Sequence, residues 1–171
     1  FNAYNSAAQL ITTTASTLLV DTTFGETDSV AYTLSSGEVE ISDPGTYTIT
    51  YSATTLSVNA TRSTTRMFLE ADTGSGFTEI DGTDVFTYDR TSTTGESTGT
   101  GTYTATFDGG DRFRVRLEVD RGSNNETVTE GCRIMITPHR SASDPVNFGI
   151  DCGDLPRGAR PKICIDCGIL E

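Results

Sequence analysis

Apolar and polar residues alternate along most of this chain, with the two-residue period of a half-buried β-strand. The cleanest run is 112–119, with Phe113, Val115, Leu117 and Val119 on one face and Arg112, Arg114, Arg116 and Glu118 on the other. Residues 46–58 set Tyr47, Ile49 and Tyr51 against Thr46, Thr48 and Thr50. Residues 102–107 align Tyr103, Ala105 and Phe107, and 128–137 align Cys132, Ile134 and Ile136. Shorter runs at 17–24, 30–34, 38–41, 67–71, 77–80 and 85–88 also read as strands. Ser35-Ser36-Gly37 is a hairpin signal, and Asp-, Gly- and Pro-rich turns fall at 43–45, 72–76, 81–84 and 108–111. Residues 91–101 and 121–126 read as loops, and 1–16 as an N-terminal arm or edge strand.

No stretch carries a convincing amphipathic-helix pattern. About ten short strands punctuated by turns predict an all-β fold, an antiparallel β-sandwich over 17–140. Residues 141–171 lose the strand rhythm, are rich in Gly, Pro and Asp, and hold three of the four cysteines. They read as an extended C-terminal arm without a core of its own.

The length of 171 residues suits one domain plus such an arm. Thirty-one residues are threonine, whose β-branching favours strands. The net charge of −12 argues against nucleic acid and anionic membranes as partners. No apolar run approaches the ~18 residues of a bilayer span.

Little in the chain suggests catalysis. His139 is the single histidine, and spacing places neither a nucleophile nor an orienting carboxylate beside it. It reads as a surface or hinge residue, and no enzymatic activity and no cofactor are expected. Asp81 with Asp84, and Asp108 with Asp111, flank glycines and read as turn formers ahead of a calcium site or paired-carboxylate chemistry. The Arg112–Arg114–Arg116 row is expected to pair with acids of neighbouring strands. Asn59-Ala60-Thr61 and Asn125-Glu126-Thr127 match the N-glycosylation pattern.

The cysteines are the strongest local signal. Ile150-Asp151-Cys152-Gly153 recurs as Ile165-Asp166-Cys167-Gly168, with Cys164 between. A Cys152–Cys167 or Cys152–Cys164 bridge would close a loop of about 15 residues, worth roughly 3 kcal/mol in the chain-entropy account. The rival is zinc held by Cys164, Cys167 and Cys152 with His139 or Cys132, but a single C-x2-C pair is a weak metal signal. Cys132, on the apolar face of its strand, reads as a buried core thiol.

The order of these signals resembles a known family. Glu38-Val39-Glu40-Ile41, then Pro44-Gly45-Thr46-Tyr47, then Phe107-Asp108-Gly109-Gly110-Asp111-Arg112-Phe113-Arg114-Val115-Arg116-Leu117, and finally Arg133-Ile134-Met135-Ile136, is similar to the ten-strand jelly roll of tumour necrosis factor and complement-type globular heads. The match covers about 17–138. Similar modules occur in virion proteins, including capsid decoration (cement) proteins and fibre heads. The resemblance implies a homotrimer with aromatic residues of one sheet near the threefold axis. Tyr47, Tyr51, Tyr103 and Phe113 are candidates for that axis or for the core. The cysteine-containing arm departs from the animal members and turns the reading from cytokine to virion module.

The expected function is therefore structural: a trimeric capsid decoration protein on the virion surface, binding a major capsid protein or other virion subunits. The arm would act as a clamp through Phe148, Ile150, Leu155, Ile163, Ile165 and Leu170. The alternative is a trimeric fibre or adhesin head that binds a receptor or glycan.

Overall fold

Fourteen strands form among the described residues of a computed structural model, which describes 1–24, 32–59, 61–90 and 95–139. In chain order they are β1 (Asn2–Tyr4), β2 (Leu10–Ile11), β3 (Ser16–Thr17), β4 (Thr22–Thr23), β5 (Tyr32–Ser35), β6 (Glu38–Ile41) and β7 (Gly45–Ser57). Then follow β8 (Ser63–Asp72), β9 (Thr78–Glu79), β10 (Val85–Asp89), β11 (Ser97–Phe107), β12 (Arg112–Arg121), β13 (Asn125–Thr127) and β14 (Arg133–His139).

Register reduces these segments to ten strand positions in two antiparallel sheets. In the first sheet β11 pairs with one edge of β7. The other edge of β7 takes β14 along Thr46–Ser52 and β13 along Thr55–Ser57. Since a strand has only two edges, β13 and β14 are halves of one position. β2 and β1 pair with those halves in turn, and β4 lies beyond β1. In the second sheet β12 pairs with β8, whose far edge takes β10 and then β9. β6 and β3 share the far edge of β12, and β5 lies beyond β6. Five positions per sheet, all antiparallel, make the predicted jelly-roll sandwich.

The alternating faces meet inside. Phe113, Val115, Leu117, Tyr51, Ile49, Leu69, Met67, Ile134 and Val39 are essentially inaccessible. Truncating a core ring such as Phe113 to alanine costs about 3–5 kcal/mol in comparable cores. The β5–β6 hairpin turns on Ser36 and Gly37, both at positive φ (54° and 79°), the geometry a two-residue hairpin favours.

Several sequence expectations change. Residues 1–16, expected as an N-terminal arm or edge strand, carry β1, β2 and the start of β3. β1 lies between β14 and β4, and Ala3 and Ile11 are fully buried. Asn5 anchors the segment, donating to the carbonyls of Ala7 and Val128 (both 2.9 Å) and accepting from the Cys132 amide (2.8 Å). The run at 17–24 is not one strand: β3 belongs to the second sheet and β4 to the first, so the chain crosses between sheets there. The loop expected at 91–101 is strand from Ser97 onward, and the one at 121–126 gives way to β13. The runs at 77–80 and 85–88, on either side of the 81–84 turn, supply β9 and β10, which both lie along β8.

Phe1–Arg140 is one compact unit. Residues 141–171, with Cys152, Cys164, Cys167, Phe148, Ile150, Leu155, Ile163, Ile165 and Leu170, lie outside the described residues.

Candidate interaction surface

The two outer faces of the sandwich differ in chemistry. On the second sheet, Arg112 contacts Asp72 (2.5 Å) and Glu38 (3.6 Å), and Arg114 contacts Glu38 (3.1 Å) and Glu70 (2.7 Å). Arg116 donates to Thr17 and to the Ala15 carbonyl, and Arg66 is ringed by Glu79, Asp84 and Glu118. The arginine row is thus occupied by acids and oxygens of adjacent strands. Arg114 also lies over the Phe77 ring at 3.9 Å and Arg66 over Phe68 at 4.1 Å.

On the first sheet the outer face of β7 and β11 is a ladder of hydroxyls. Thr46, Thr48, Thr50, Ser52 and Thr54 stand directly opposite Thr106, Thr104, Thr102, Thr100 and Thr98. Hydroxyls bond across the strands at Thr46–Thr106 (2.9 Å), Thr48–Thr104 (2.8 Å) and Thr54–Thr98 (2.9 Å). β14 continues the face with Met135 and Thr137 beside Thr50 and Thr48. Among the described residues its charges are sparse, chiefly Arg133 and Glu126. This is a nearly uncharged face on a chain of net charge −12.

Two apolar flanks border the sandwich. Phe86 and Tyr88 project from β10, an edge strand, and are 55% and 48% exposed. Across the first sheet, Tyr4 and Phe24 stack edge-on at 5.7 Å, with Arg133 over Phe24 at 5.5 Å. With Glu130 these residues line a shallow cleft of about 210 Å³.

The structure separates the aromatic candidates. Tyr47, Tyr51 and Phe113 are buried inside a single subunit, at 5%, 1% and 0% exposure. Tyr47 also donates to the Asp43 carbonyl (2.7 Å), and Tyr51 to that of Thr83. Tyr103 faces inward from β11 and is half-buried. Alternation alone left core and threefold axis equivalent; burial in one chain assigns the first three to the core.

The chemistry-bearing residues do not converge. His139 ends β14 on the hydroxyl face, where Nε2 meets Thr48 Oγ1 at 2.5 Å. Asp84 is held by Arg66. Asp111 accepts the Asp108 amide (2.8 Å), and Gly110 and Gly82 sit at positive φ (94° and 81°), as turn chemistry requires. No cluster of three or more His, Cys, Asp or Glu able to hold a metal occurs among the described residues. Cys132 is a free, buried thiol whose pKa burial pushes up to about 11. Asn125 is likewise buried and bonded through its side chain, which removes it as a glycan acceptor.

No family model matches the chain, and no curated protein matches it. The fold is that of TNF/C1q-like jelly rolls. An Eiger TNF structure from S. frugiperda aligns at TM-score 0.57 and 16% identity, over 84% of this chain and 94% of that one. Murine APRIL aligns at TM-score 0.58 and 6% identity, covering 81% and 96%. The globular domain of zebrafish complement 1qA aligns at 0.50 and 13%, covering 82% and 98%.

Proposed function

We propose that this chain is a structural, self-associating jelly-roll unit: a homotrimeric capsid decoration protein that binds and stabilises a capsid lattice on the virion surface. The observation that carries the reading is the charge asymmetry between the two outer faces. Protein interfaces are depleted of charge at their centre, and the hydroxyl face of β7, β11 and β14 is the part of this acidic molecule with that character. The charged face of the second sheet keeps the free protein soluble. Residues 141–171 act as the clamp on the major capsid protein, with Phe148, Ile150, Leu155, Ile163, Ile165 and Leu170 supplying apolar contact. In this reading the protein needs neither cofactor nor catalysis.

The test is native mass with and without reductant, followed by capsid binding of the full chain and of a chain lacking 141–171. A trimer whose truncated form stays trimeric and loses the capsid supports the reading. A single subunit at high concentration, or full capsid occupancy after truncation, overturns it.

A second reading, a fibre or adhesin head, gains from one observation: the exposed Phe86 and Tyr88 on β10 offer aromatic faces for a glycan or receptor. Saturable glycan-array binding lost in Tyr88→Ala would favour it.

A further inference from the structure

The interior of the sandwich changes character along its length on β7, β8 and β10, while β12 stays apolar through Val119. The inward positions of β7 run Tyr47, Ile49, Tyr51, Ala53 and then Thr55 and Ser57. Those of β8 run from Leu69 and Met67 back to Thr65 and Ser63, and those of β10 from Val85 to Thr87 and Asp89. β13 contributes Asn125 and Thr127. Thr55, Ser57, Ser63, Thr65, Thr87, Asp89, Asn125 and Thr127 are all at least nine-tenths buried. One end of the molecule therefore encloses a polar compartment bridging both sheets.

At its centre is a carboxylate. Asp89 is 1% exposed. Its Oδ2 accepts from the Thr55 hydroxyl (2.8 Å) and from Asn125 Nδ2 (3.0 Å). Its Oδ1, also buried, has no hydrogen-bonding partner. Thr55 further contacts Thr87 Oγ1 (2.8 Å) and the Ser97 carbonyl (3.5 Å). Asn125 Nδ2 reaches Thr65 Oγ1 (2.6 Å), and its Oδ1 accepts from Ser63. No ion pair among the described residues includes Asp89. An ionised carboxylate so deeply buried, without a countercharge, is expensive, and an unsatisfied buried oxygen in a built polar site calls for an unseen ion or water.

We propose that this compartment is a binding site for a hard cation of the calcium class, ligated by Asp89 Oδ1 and completed by neighbouring hydroxyl and carbonyl oxygens. Calcium takes oxygen ligands in flexible geometry, and the compartment is lined by oxygens from four strands. A single carboxylate among neutral oxygens makes a weak site, on the order of 10⁻⁴–10⁻³ M, the range of extracellular calcium modules. The site joins β7, β8, β10 and β13, so an ion there ties the two sheets together where the apolar core ends. Its role is independent of whether the molecule serves a capsid or a receptor.

The experiment is thermal unfolding of the chelator-stripped full chain in about 10 mM calcium chloride, against magnesium and sodium chloride at equal ionic strength, for wild type and Asp89→Asn. Calcium is expected to raise the wild-type midpoint by roughly 3–5 °C beyond the magnesium control and to leave Asp89→Asn at that control. Equal midpoints in calcium and magnesium overturn the proposal. So does the same calcium increment in Asp89→Asn, since that assigns the effect to the acidic surface. If Asp89→Asn does not fold, Thr87→Val and equilibrium dialysis with calcium decide. Saturable uptake of about one ion per wild-type chain, weakened in Thr87→Val, supports the site; uptake that never saturates, or is unchanged in Thr87→Val, removes it.

Discussion

The ring of Tyr51 on β7 occupies the place that a side chain at Gly101 on β11 would need. The two residues are register partners, and a Cβ built on Gly101 falls well inside contact distance of the Tyr51 ring and hydroxyl. The ring cannot swing away cheaply, because it is 1% exposed and tied through its hydroxyl to the Thr83 carbonyl. Gly99 is crowded in the same way by Val85 and Thr87. Glycine here is a packing requirement of a strand and not a loop signal.

Gly101→Ala is therefore expected to destabilise the fold by about 1–3 kcal/mol, the usual cost of overpacking a well-filled site. Urea denaturation checks this. The same change in a Tyr51→Ala background should cost less, because the colliding ring is gone. Equal costs in both backgrounds would show that the ring is not the cause.

Asp89 and Asp72 should respond to pH in opposite directions. Burial raises the Asp89 pKa, so its carboxyl favours the fold when protonated, and that contribution is lost as pH rises through the folded value. In calcium-free buffer Asp89→Asn should be more stable than wild type at about pH 7, with the gap closing towards about pH 4. Arg112, then the amides of Gly76 and Gly74, lower the Asp72 pKa. Its contribution is full at neutral pH and is lost as pH falls through the folded value. Asp72→Asn should therefore be the less stable protein at about pH 7, with its gap also closing in acid. Urea midpoints at the two pH values read both.

Cys132 should resist alkylation in the native state at about pH 8, since the thiolate is the nucleophile and burial holds this thiol protonated. Peptide mapping after a timed pulse of iodoacetamide distinguishes it from the cysteines of 141–171. Its labelling should follow global unfolding; rapid labelling in the folded protein would contradict the buried assignment.

Thr102→Glu places a charge in the hydroxyl ladder opposite Thr50. If that face is the self-association surface, the variant should run as a single chain by native mass while melting cooperatively. An unchanged oligomer would move the interface elsewhere.

Alternation made the long strands legible. Phe113, Val115, Leu117 and Val119 on β12, and Tyr47, Ile49 and Tyr51 on β7, are buried as their spacing predicted. Turn chemistry located the Ser36-Gly37 hairpin and the Asp108–Asp111 turn for backbone reasons that are local to the chain. Where stability comes from partners distant in sequence, the pattern was silent. β1 is three residues long and exists because β14 and β4 flank it. Asn5 gave no signal because its importance lies in carbonyls and amides more than a hundred residues away.

By itself, then, the order of residues determined the strand periodicity, the turns and an antiparallel β-sandwich, since these depend on side-chain period and backbone φ preferences; the jelly-roll class came from the resemblance of its motifs to a known family. Tertiary structure alone decided that Tyr47, Tyr51 and Phe113 are core, that glycines at 99 and 101 admit their neighbours, and that scattered Thr, Ser, Asn and Asp residues close around Asp89. Those facts arise only when two sheets stack, because a period of two says which side a residue faces but not what it meets there.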